Sequence, residues 1–441
     1  MRPNWFSSAL ERRNFSMLTL DGVLFFTAST FLDATILIPL FLQHVGGSVL
    51  LIGLAATIRQ IGFVLPQLLT ARYLSKIPRL NRFVFWSYLI CRFAFLLVIA
   101  ALLRDPHSPF VIVAFFIGYT MFTLGEGITQ VPWMDVFSRT IRPHNHGTSF
   151  GLMQTCGAVG AFLGGLLIQE ILAHPDRYPY PTNFLLLFAV AFGCLLVATL
   201  CFLYVKEGPR QTPPNAEGEP ASKRKTTRFS RIWRTQPAFR RLLIVQTLVG
   251  VHQLVMPFYI LYAQTLPGVD AVLIGQLVIA QILGGAAGGI LFGWISSRLG
   301  NRMAVCSNVL FNLVVPVLIL VAGQLSAGAT VRPLVTVAFF LLGLVGGGWI
   351  GFTNYLLDIS NDETRGTYIA YLNTCSAPLA LLPIFSGSLV GAMSYAAVFV
   401  IVLILLLVAS YVALRLPPTT TRYRRGDRAA RLDRKTNAAP Q

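Results

Sequence analysis

Hydrophobic runs of 20 residues or more recur along the whole chain, and polar segments separate them. A helix needs about 20 apolar residues to cross the hydrocarbon core of a bilayer. The pattern therefore predicts an all-α membrane protein with twelve transmembrane helices. The predicted spans are residues 17–43, 48–72, 82–103, 109–137, 147–173, 183–205, 239–264, 271–297, 303–324, 332–357, 366–392 and 394–416.

The second half of the chain repeats the first half in the same order. LLIGLAATIRQIG at residues 50–62 resembles VLIGQLVIAQILG at residues 272–284, and HGTSFG at residues 146–151 corresponds to RGTYIA at residues 365–370. Internal repeats of this kind are typical of secondary transporters. The duplication predicts two pseudo-symmetric six-helix bundles.

A long polar segment separates the sixth predicted span from the seventh. Residues 207–237 begin with a stretch rich in Pro, Glu and Gly, which predicts a cytoplasmic linker. The linker divides the chain into an N-terminal bundle of residues 1–206 and a C-terminal bundle of residues 238–417, followed by a basic cytoplasmic tail of residues 418–441. Residues 223–241 are basic with interspersed apolar side chains, which predicts a helix lying on the inner leaflet.

The basic residues are distributed unevenly between the two sides of the predicted membrane. The formal net charge is +18, and 30 of the 35 Lys and Arg residues fall on the side of the chain termini. Because basic loops stay in the cytoplasm, both termini of this multi-pass protein are predicted to be cytoplasmic, in a plasma or inner membrane. The same segments are expected to contact anionic lipid head groups, which argues against a nucleic-acid partner.

The sequence lacks the motifs of an enzyme or a metal site. It has no nucleotide-binding loop, no HExxH and no group of His or carboxylate ligands on one helix. The six cysteines fall within the predicted spans without metal-ligand spacing, as expected of packing residues. We therefore expect no enzymatic activity, no cofactor and no metal.

Four charged side chains well inside the predicted spans of the first half are candidates for function, because an unpaired charge at this depth is costly. Asp33 lies ten residues before the outer loop that starts after Gln43, and Arg59 lies eleven residues after Ser48 at the end of that loop. At 1.5 Å per residue, both are about 15 Å from this loop. These depths predict an ion pair between Asp33 and Arg59.

The other two charges are level when they are counted from the cytoplasmic side. Arg92 lies ten residues after Arg82, and Glu126 lies nine residues before Asp135. A second pair, Arg92 with Glu126, is therefore predicted. Each pair has two interpretations. Intramembrane charges can bind substrate or transfer protons, or they can simply fix helix packing.

The internal repeat favours the functional interpretation. Alignment of the two halves places Arg59 on Gln281, Arg92 on Asn312 and Glu126 on Trp349. The second half therefore forms a similar bundle without these charges. His252 is the second half's candidate for proton coupling, although a lone histidine is more often a hydrogen-bonded packing residue.

Further polar and aromatic residues are candidates for lining a cavity or for gating. The cavity-lining candidates are Gln253, Gln281, Asn312, Trp349 and Asn354. The gating candidates are Asp135, Asp358, Arg298 and Arg302. Asp135 and Asp358 end the fourth and tenth spans on the cytoplasmic side, where they are expected to pair with basic loop residues such as Arg79 or Arg302.

The loop after the eighth span carries a recognisable motif. GWISSRLGNR resembles the cytoplasmic loop of the major facilitator superfamily, Gly-x-x-x-Asp-Arg-x-Gly-Arg-Lys, through the matching residues Gly293, Arg298, Gly300 and Arg302. Ser297 stands where Asp is usual. With the span count, the duplication and the linker, this motif makes the chain resemble a member of that superfamily over nearly its full length. The resemblance implies two bundles that rock about a central site.

A second motif is similar to the antiporter motif of drug-efflux branches of the superfamily. Gly147, Gly160, Gly164 and Gly165 match it, whereas Cys156 replaces a Gly and Ala161 replaces the Pro. Helix packing alone also explains such glycines. The motif points toward export.

Together these patterns predict a monomeric secondary active transporter for a small organic molecule, coupled to protons. A cavity with charged and aromatic walls suits an amphipathic or cationic drug-like compound. The alternatives are a uniporter or symporter of a sugar or organic anion, or a non-transporting receptor or lipid flippase of the same fold.

Overall fold

The computed structural model describes residues 8–74, 77–207, 229–360 and 362–418, and helices make up nearly all of these ranges. The helices, joined in places by short 3-10 turns, are α1 (Ala9–Phe31), α2 (Leu37–His44), α3 (Val49–Tyr73), α4 (Leu80–Phe93), α5 (Leu96–Arg104), α6 (Phe110–Thr140), α7 (Pro143–Ala173), α8 (Thr182–Tyr204), α9 (Phe229–Thr235), α10 (Pro237–Gly250), α11 (Tyr259–Ala263), α12 (Ala271–Arg298), α13 (Asn301–Ala322), α14 (Gly328–Val345), α15 (Trp349–Ile359), α16 (Asp362–Ser376), α17 (Leu382–Ala392) and α18 (Tyr395–Leu414).

Eleven helical segments of the described chain are long and apolar enough to cross a membrane. They agree with the second to twelfth predicted spans to within a few residues. The predicted all-α membrane fold is therefore confirmed, and the count is consistent with twelve crossings. Several crossings are composed of two shorter helices, such as α4 with α5 and α14 with α15.

The first predicted span is interrupted in the structure. It forms α1, which already begins at Ala9, and the separate short helix α2. Asp33 causes the interruption, because its Oδ1 accepts hydrogen bonds from the backbone N–H groups of Thr35 and Ile36 at 3.0 and 2.7 Å. Such a local turn competes with continued α-helix.

Residues 208–228 of the predicted linker and the basic tail beyond Pro418 lie outside the described residues. Within the predicted surface helix, residues 229–235 do form a helix, α9. Its apolar side chains pack on the second half, since Ile232 is buried and the Phe229 ring lies 5.1 Å from the Tyr371 ring. This helix is thus anchored to protein as well as being basic.

The two halves of the chain contact each other mainly at one end of the molecule. We call this end the loop end, because it contains the loop of residues 45–48, and the opposite end, which contains residues 8, 207 and 418, the terminal end. Across the halves α7 packs on α12 and α3 packs on α17. Thr57 accepts a hydrogen bond from the N–H of Ile384 at 3.0 Å.

Glycines allow this close approach at the loop end. A Cβ on Gly275 of α12 would lie 2.5 Å from the Cα of Gln169 of α7, and one on Gly387 of α17 would lie 2.8 Å from the Cα of Leu50 of α3. Only a residue without a side chain fits such contacts. The loop end is therefore tightly closed.

At the terminal end, side chains bond within their own half. Asn14 donates to the carbonyl of Lys206 at 2.9 Å in the first half, and Arg302 donates to the carbonyl of Leu414 at 2.7 Å in the second. The described residues thus form two bundles whose main contacts with each other lie near the loop end.

Candidate functional site

Arg92 and Glu126 form an ion pair inside the first bundle, as their equal depth predicts. Nε of Arg92 donates to Oε1 of Glu126 at 3.0 Å, and Nη2 lies 2.9 Å from the same oxygen. Their side chains are only 2% and 4% exposed. Isolated charges at this depth would be very costly, so each requires the other.

Arg92 also connects three transmembrane segments. It belongs to α4, pairs with α6 through Glu126, and donates from Nη1 to the carbonyl of Leu195 and the hydroxyl of Thr199 on α8, at 3.0 and 2.9 Å. Its guanidinium lies 3.6 Å from the centroid of the Tyr88 ring, which adds a cation–π contact. Gly125 lets α6 approach α4 here, because a Cβ at that position would lie only 2.3 Å from the Cβ of Cys91.

A third buried charge, Asp21, lies beside this pair and was not among the predicted site residues. Its Oδ2 accepts a hydrogen bond from Nε1 of Trp133 at 2.7 Å, and both Arg92 and Glu126 act on it electrostatically. Within the described part of the chain, Oδ1 of Asp21 has no hydrogen-bond partner, and Nη2 of Arg92 has only its ion-pair contact with Glu126. Asp21 lies inside the predicted span 17–43, so the criterion that selects Asp33 selects it as well.

The predicted ion pair between Asp33 and Arg59 is wrong. Among the described residues, no nitrogen of Arg59 lies within 4.0 Å of an Asp33 oxygen, although Arg59 attracts Asp33 electrostatically over a longer distance. Asp33 instead bonds to the turn between α1 and α2, where its Oδ1 also accepts a hydrogen bond from the Thr35 hydroxyl at 2.6 Å. The helix break, which the depth count assumed absent, turns this carboxylate toward its own chain.

The Thr35 side chain next to Asp33 joins the two halves. Nε2 of Gln281 on α12 donates to Oγ1 of Thr35 at 2.8 Å. The predicted cavity residue Gln281 therefore lies at the junction of the bundles, close to Asp33. Its partner in the repeat alignment is Arg59, so corresponding positions of the two halves approach the same region.

His252 belongs to a closed polar network of the second bundle. Its Nδ1 lies 2.7 Å from Oδ1 of Asn312, and its Nε2 lies 2.9 Å from the hydroxyl of Tyr259. Asn312 donates onward to the carbonyl of Asn308 at 2.9 Å. A neutral imidazole that donates from Nδ1 and accepts at Nε2 satisfies both contacts. The geometry favours the packing interpretation of His252.

We expect His252→Gln to leave the pH dependence of transport unchanged and to destabilise the fold. The substitution removes one of the two hydrogen bonds at this buried position and leaves a partner unsatisfied, which costs about 1–3 kcal/mol. Thermal unfolding in detergent and transport at several pH values measure the two effects. Loss of the pH response with intact stability would instead give His252 a role in proton coupling.

The remaining cavity candidates differ in exposure. Trp349 is 64% exposed, on the face of α15 opposite Gly348 and Gly351, which pack on α13. Gln253 is half-buried, whereas Asn312 is buried in the histidine network and offers little surface. Asn354 donates to the hydroxyl of Ser296 at 3.1 Å. Trp349 is thus the most exposed of these candidates.

The acidic gating candidates have partners other than those predicted. Asp135 pairs with Arg139 of its own helix and not with Arg79. Asp358 accepts a hydrogen bond from Nδ2 of Asn301 at 2.7 Å and does not pair with Arg302. Four residues then form a chain across α12, α13 and α15 at the terminal end: Asn354, Ser296, Asn301 and Asp358.

The two arginine candidates lie at the same end. Arg302 donates to the Leu414 carbonyl and its Nε is buried without a hydrogen-bond partner among the described residues, while Arg298 is exposed. Asp135 finds its partner in its own helix, whereas Asp358 and Arg302 bond to other helices. A role in gating stays a prediction for all four candidates.

Comparison with solved structures supports the fold. The nucleoside transporter NupG superposes with a TM-score of 0.65 at 12% identity, covering 93% of this chain and 99% of that one. A POT family transporter in complex with 5-aminolevulinic acid gives 0.68 at 10% identity, covering 93% and 97%. A bacterial homolog of the human lysosomal transporter Spinster, in an inward-facing and unoccupied conformation, gives 0.63 at 16% identity, covering 93% and 98%.

The sequence itself identifies the family. The search of curated protein sequences finds no match. The sequence profile of the Major Facilitator Superfamily matches residues 21–379 and 268–438, which together include most of the chain. With this match and two helical bundles that pack on each other, the chain belongs to the major facilitator superfamily.

Proposed function

We propose that this protein is a proton-coupled secondary active transporter of a small organic molecule. The observation that carries the proposal is the buried cluster of Arg92, Glu126 and Asp21, in which one cation faces two carboxylates. Intramembrane groups of this kind are costly to bury, and transporters use them as proton relays. The second half has a neutral histidine network near the corresponding position, so packing alone does not require the charges.

The cluster offers a physical route for proton coupling. When Glu126 is ionised, its Oε1 attracts both Nε and Nη2 of Arg92. Protonation of Glu126 removes that attraction, and the guanidinium then favours the remaining carboxylate, Asp21, whose Oδ1 has no hydrogen-bond partner among the described residues. Because Arg92 joins α4 to α6 and α8, a change of its partner alters how these helices pack.

Alternating access follows from the two-bundle architecture. The positive-inside distribution of basic residues supports a cytoplasmic location of both termini, so the terminal end would face the cytoplasm. A substrate would bind near the junction of Thr35 and Gln281, and rocking of the bundles would close the terminal end and open the loop end. The basic terminal end would lie against anionic lipids, and the transporter acts as a monomer.

Glu126→Gln tests the coupling. We expect it to abolish uptake driven by a pH gradient in proteoliposomes, while exchange of labelled for unlabelled substrate persists, because glutamine imitates the protonated acid. Glu170→Gln, at an exposed glutamate of the same residue type, is the control and should leave both activities intact. Unchanged pH-driven uptake by Glu126→Gln would remove Glu126 from this role.

The same assay tests whether the protein transports at all. Counterflow of labelled amino acids, nucleosides, sugars and organic cations into proteoliposomes would identify flux without any driving gradient. A complete absence of flux across this panel, for protein that remains folded, would favour a receptor built on the transporter fold.

A further inference from the structure

Asp33 and Arg59 are two opposite charges that share one region without neutralising each other. Both side chains are half-buried, and the closest approach of their charged atoms exceeds 4.0 Å within the described chain. Each attracts the other electrostatically. Charges placed this deep in a membrane protein normally pair directly, so a separated pair calls for an explanation.

Asp33 is held in place with one oxygen uncommitted. The three hydrogen bonds to this carboxylate, from Thr35 N–H, Thr35 hydroxyl and Ile36 N–H, all end on Oδ1. In the residues that the structure describes, no donor is assigned to Oδ2. These three hydrogen bonds hold the carboxylate in the turn between α1 and α2.

Arg59 contributes a guanidinium with unused donors. Its described contact is with the face of Phe63, whose ring centroid lies 5.8 Å from the guanidinium carbon. A guanidinium presents a planar set of N–H donors that matches a carboxylate with two parallel hydrogen bonds. A residue with this geometry is suited to hold an anionic group of a ligand.

A third side chain, Tyr119, lies within electrostatic reach of both charges. It is completely buried, and its hydroxyl has no hydrogen-bond partner among the described residues. A buried hydroxyl without a partner costs free energy. Thr35 and Gln281 connect this region to the second bundle, so an occupant would lie where the two halves meet.

We propose that Asp33 and Arg59 form the binding site for a small zwitterion. The ammonium group of the ligand pairs with Oδ2 of Asp33, and its carboxylate or equivalent anion pairs with Arg59. A simple cation leaves Arg59 without a counter-ion and a simple anion leaves Asp33 without one, whereas a zwitterion neutralises both. The inference rests on the proposed transport function, since it names the substrate class.

Ligand sets that differ only in charge test this inference on the purified full-length protein. We would measure melting temperature and dissociation constant for the amino acids and simple dipeptides, for their C-terminal amides, which are cations, and for their N-acetyl derivatives, which are anions. At least one zwitterion should bind ten-fold more tightly than both of its blocked derivatives. If every zwitterion binds no better than its amide or its N-acetyl form, the site assignment is overturned.

Two variants tie the preference to the two residues. Arg59→Gln should weaken zwitterion binding at least ten-fold and leave binding of the amide unchanged, and Asp33→Asn should weaken both while sparing the N-acetyl anion. The side-chain oxygen of asparagine can accept the same hydrogen bonds from Thr35 and Ile36, so Asp33→Asn should keep the break between α1 and α2. Arg332→Gln, at an exposed ion pair, should change nothing.

Failure of this inference is distinguishable from failure of the proposed function. Zwitterion binding without counterflow would support the site and contradict transport. Counterflow of a substrate whose affinity ignores both substitutions would support transport and contradict the site.

Discussion

Arg92→Gln is expected to be the most destabilising single change in the first bundle. Arg92 is almost fully buried, and its loss leaves Glu126 as an uncompensated carboxylate and frees the Leu195 carbonyl. Removing one member of a buried ion pair costs about 3–5 kcal/mol. Thermal unfolding of the protein in detergent, followed by intrinsic fluorescence, measures the loss as a lower melting temperature.

The exposed ion pair of the second bundle provides the matched comparison. Arg332 lies 3.2 Å from Asp270, and both side chains are more than a third exposed. Exposed pairs contribute about 0–1 kcal/mol, so Arg332→Gln should leave the melting temperature nearly unchanged. Equal melting temperatures for Arg92→Gln and Arg332→Gln would contradict the structural weight assigned to Arg92.

A double variant separates the pair from the residues. Arg92→Gln with Glu126→Gln leaves neither charge unpaired, so its cost should be smaller than the sum of the single costs by about 1–3 kcal/mol. If the three measurements are additive, the two side chains do not interact in the folded protein.

The sequence predicts one buried ion pair correctly and the other wrongly, and the reason is physical. Depth counting assumes a continuous helix, which holds for α4 and α6 around Arg92 and Glu126. It fails for Asp33, because an aspartate side chain can bond to backbone N–H groups two and three residues ahead and end the helix. Apolar periodicity carries no signal for this competition.

The fold is more predictable than the site for a related reason. Span length and the repeated motifs follow from bilayer thickness and duplication, and eleven spans agree with them to within a few residues. Side-chain partners depend on helix rotation, which an almost uniformly apolar span does not reveal. Asp135, for example, pairs with Arg139 one turn ahead in its own helix and not with Arg79.

The two halves solve the same burial problem differently. Repeat alignment places Arg92 on Asn312, and the structure gives the first an ion pair and the second a neutral network with His252. Both arrangements satisfy buried polar groups and connect neighbouring helices. In the first, a proton added to Glu126 would neutralise the partner of Arg92, which is why we propose the coupling there.

Gly275→Val is expected to prevent tight closure of the loop end. A Cβ at Gly275 would already lie 2.5 Å from the Cα of Gln169, so the larger side chain must push α12 away from α7. Forcing a side chain into such a contact costs about 1–3 kcal/mol, which shifts the equilibrium away from the state with a closed loop end by about 5–150-fold. Transport should fall, because the cycle requires both states.

The accessibility of a single cysteine reports this shift. Thr57 is buried at the loop-end junction beside Ile384, so Thr57→Cys, in a background without the six native cysteines, should react slowly with a membrane-impermeant maleimide added from the loop end. Gly275→Val should accelerate the reaction at least five-fold. Gly289→Val changes the same residue type in the same helix, where a Cβ meets nothing within 4 Å, and should leave both labelling and transport unchanged. Because the two substitutions differ only in what faces the new side chain, equal labelling rates would mean that contact between α7 and α12 does not control access from the loop end.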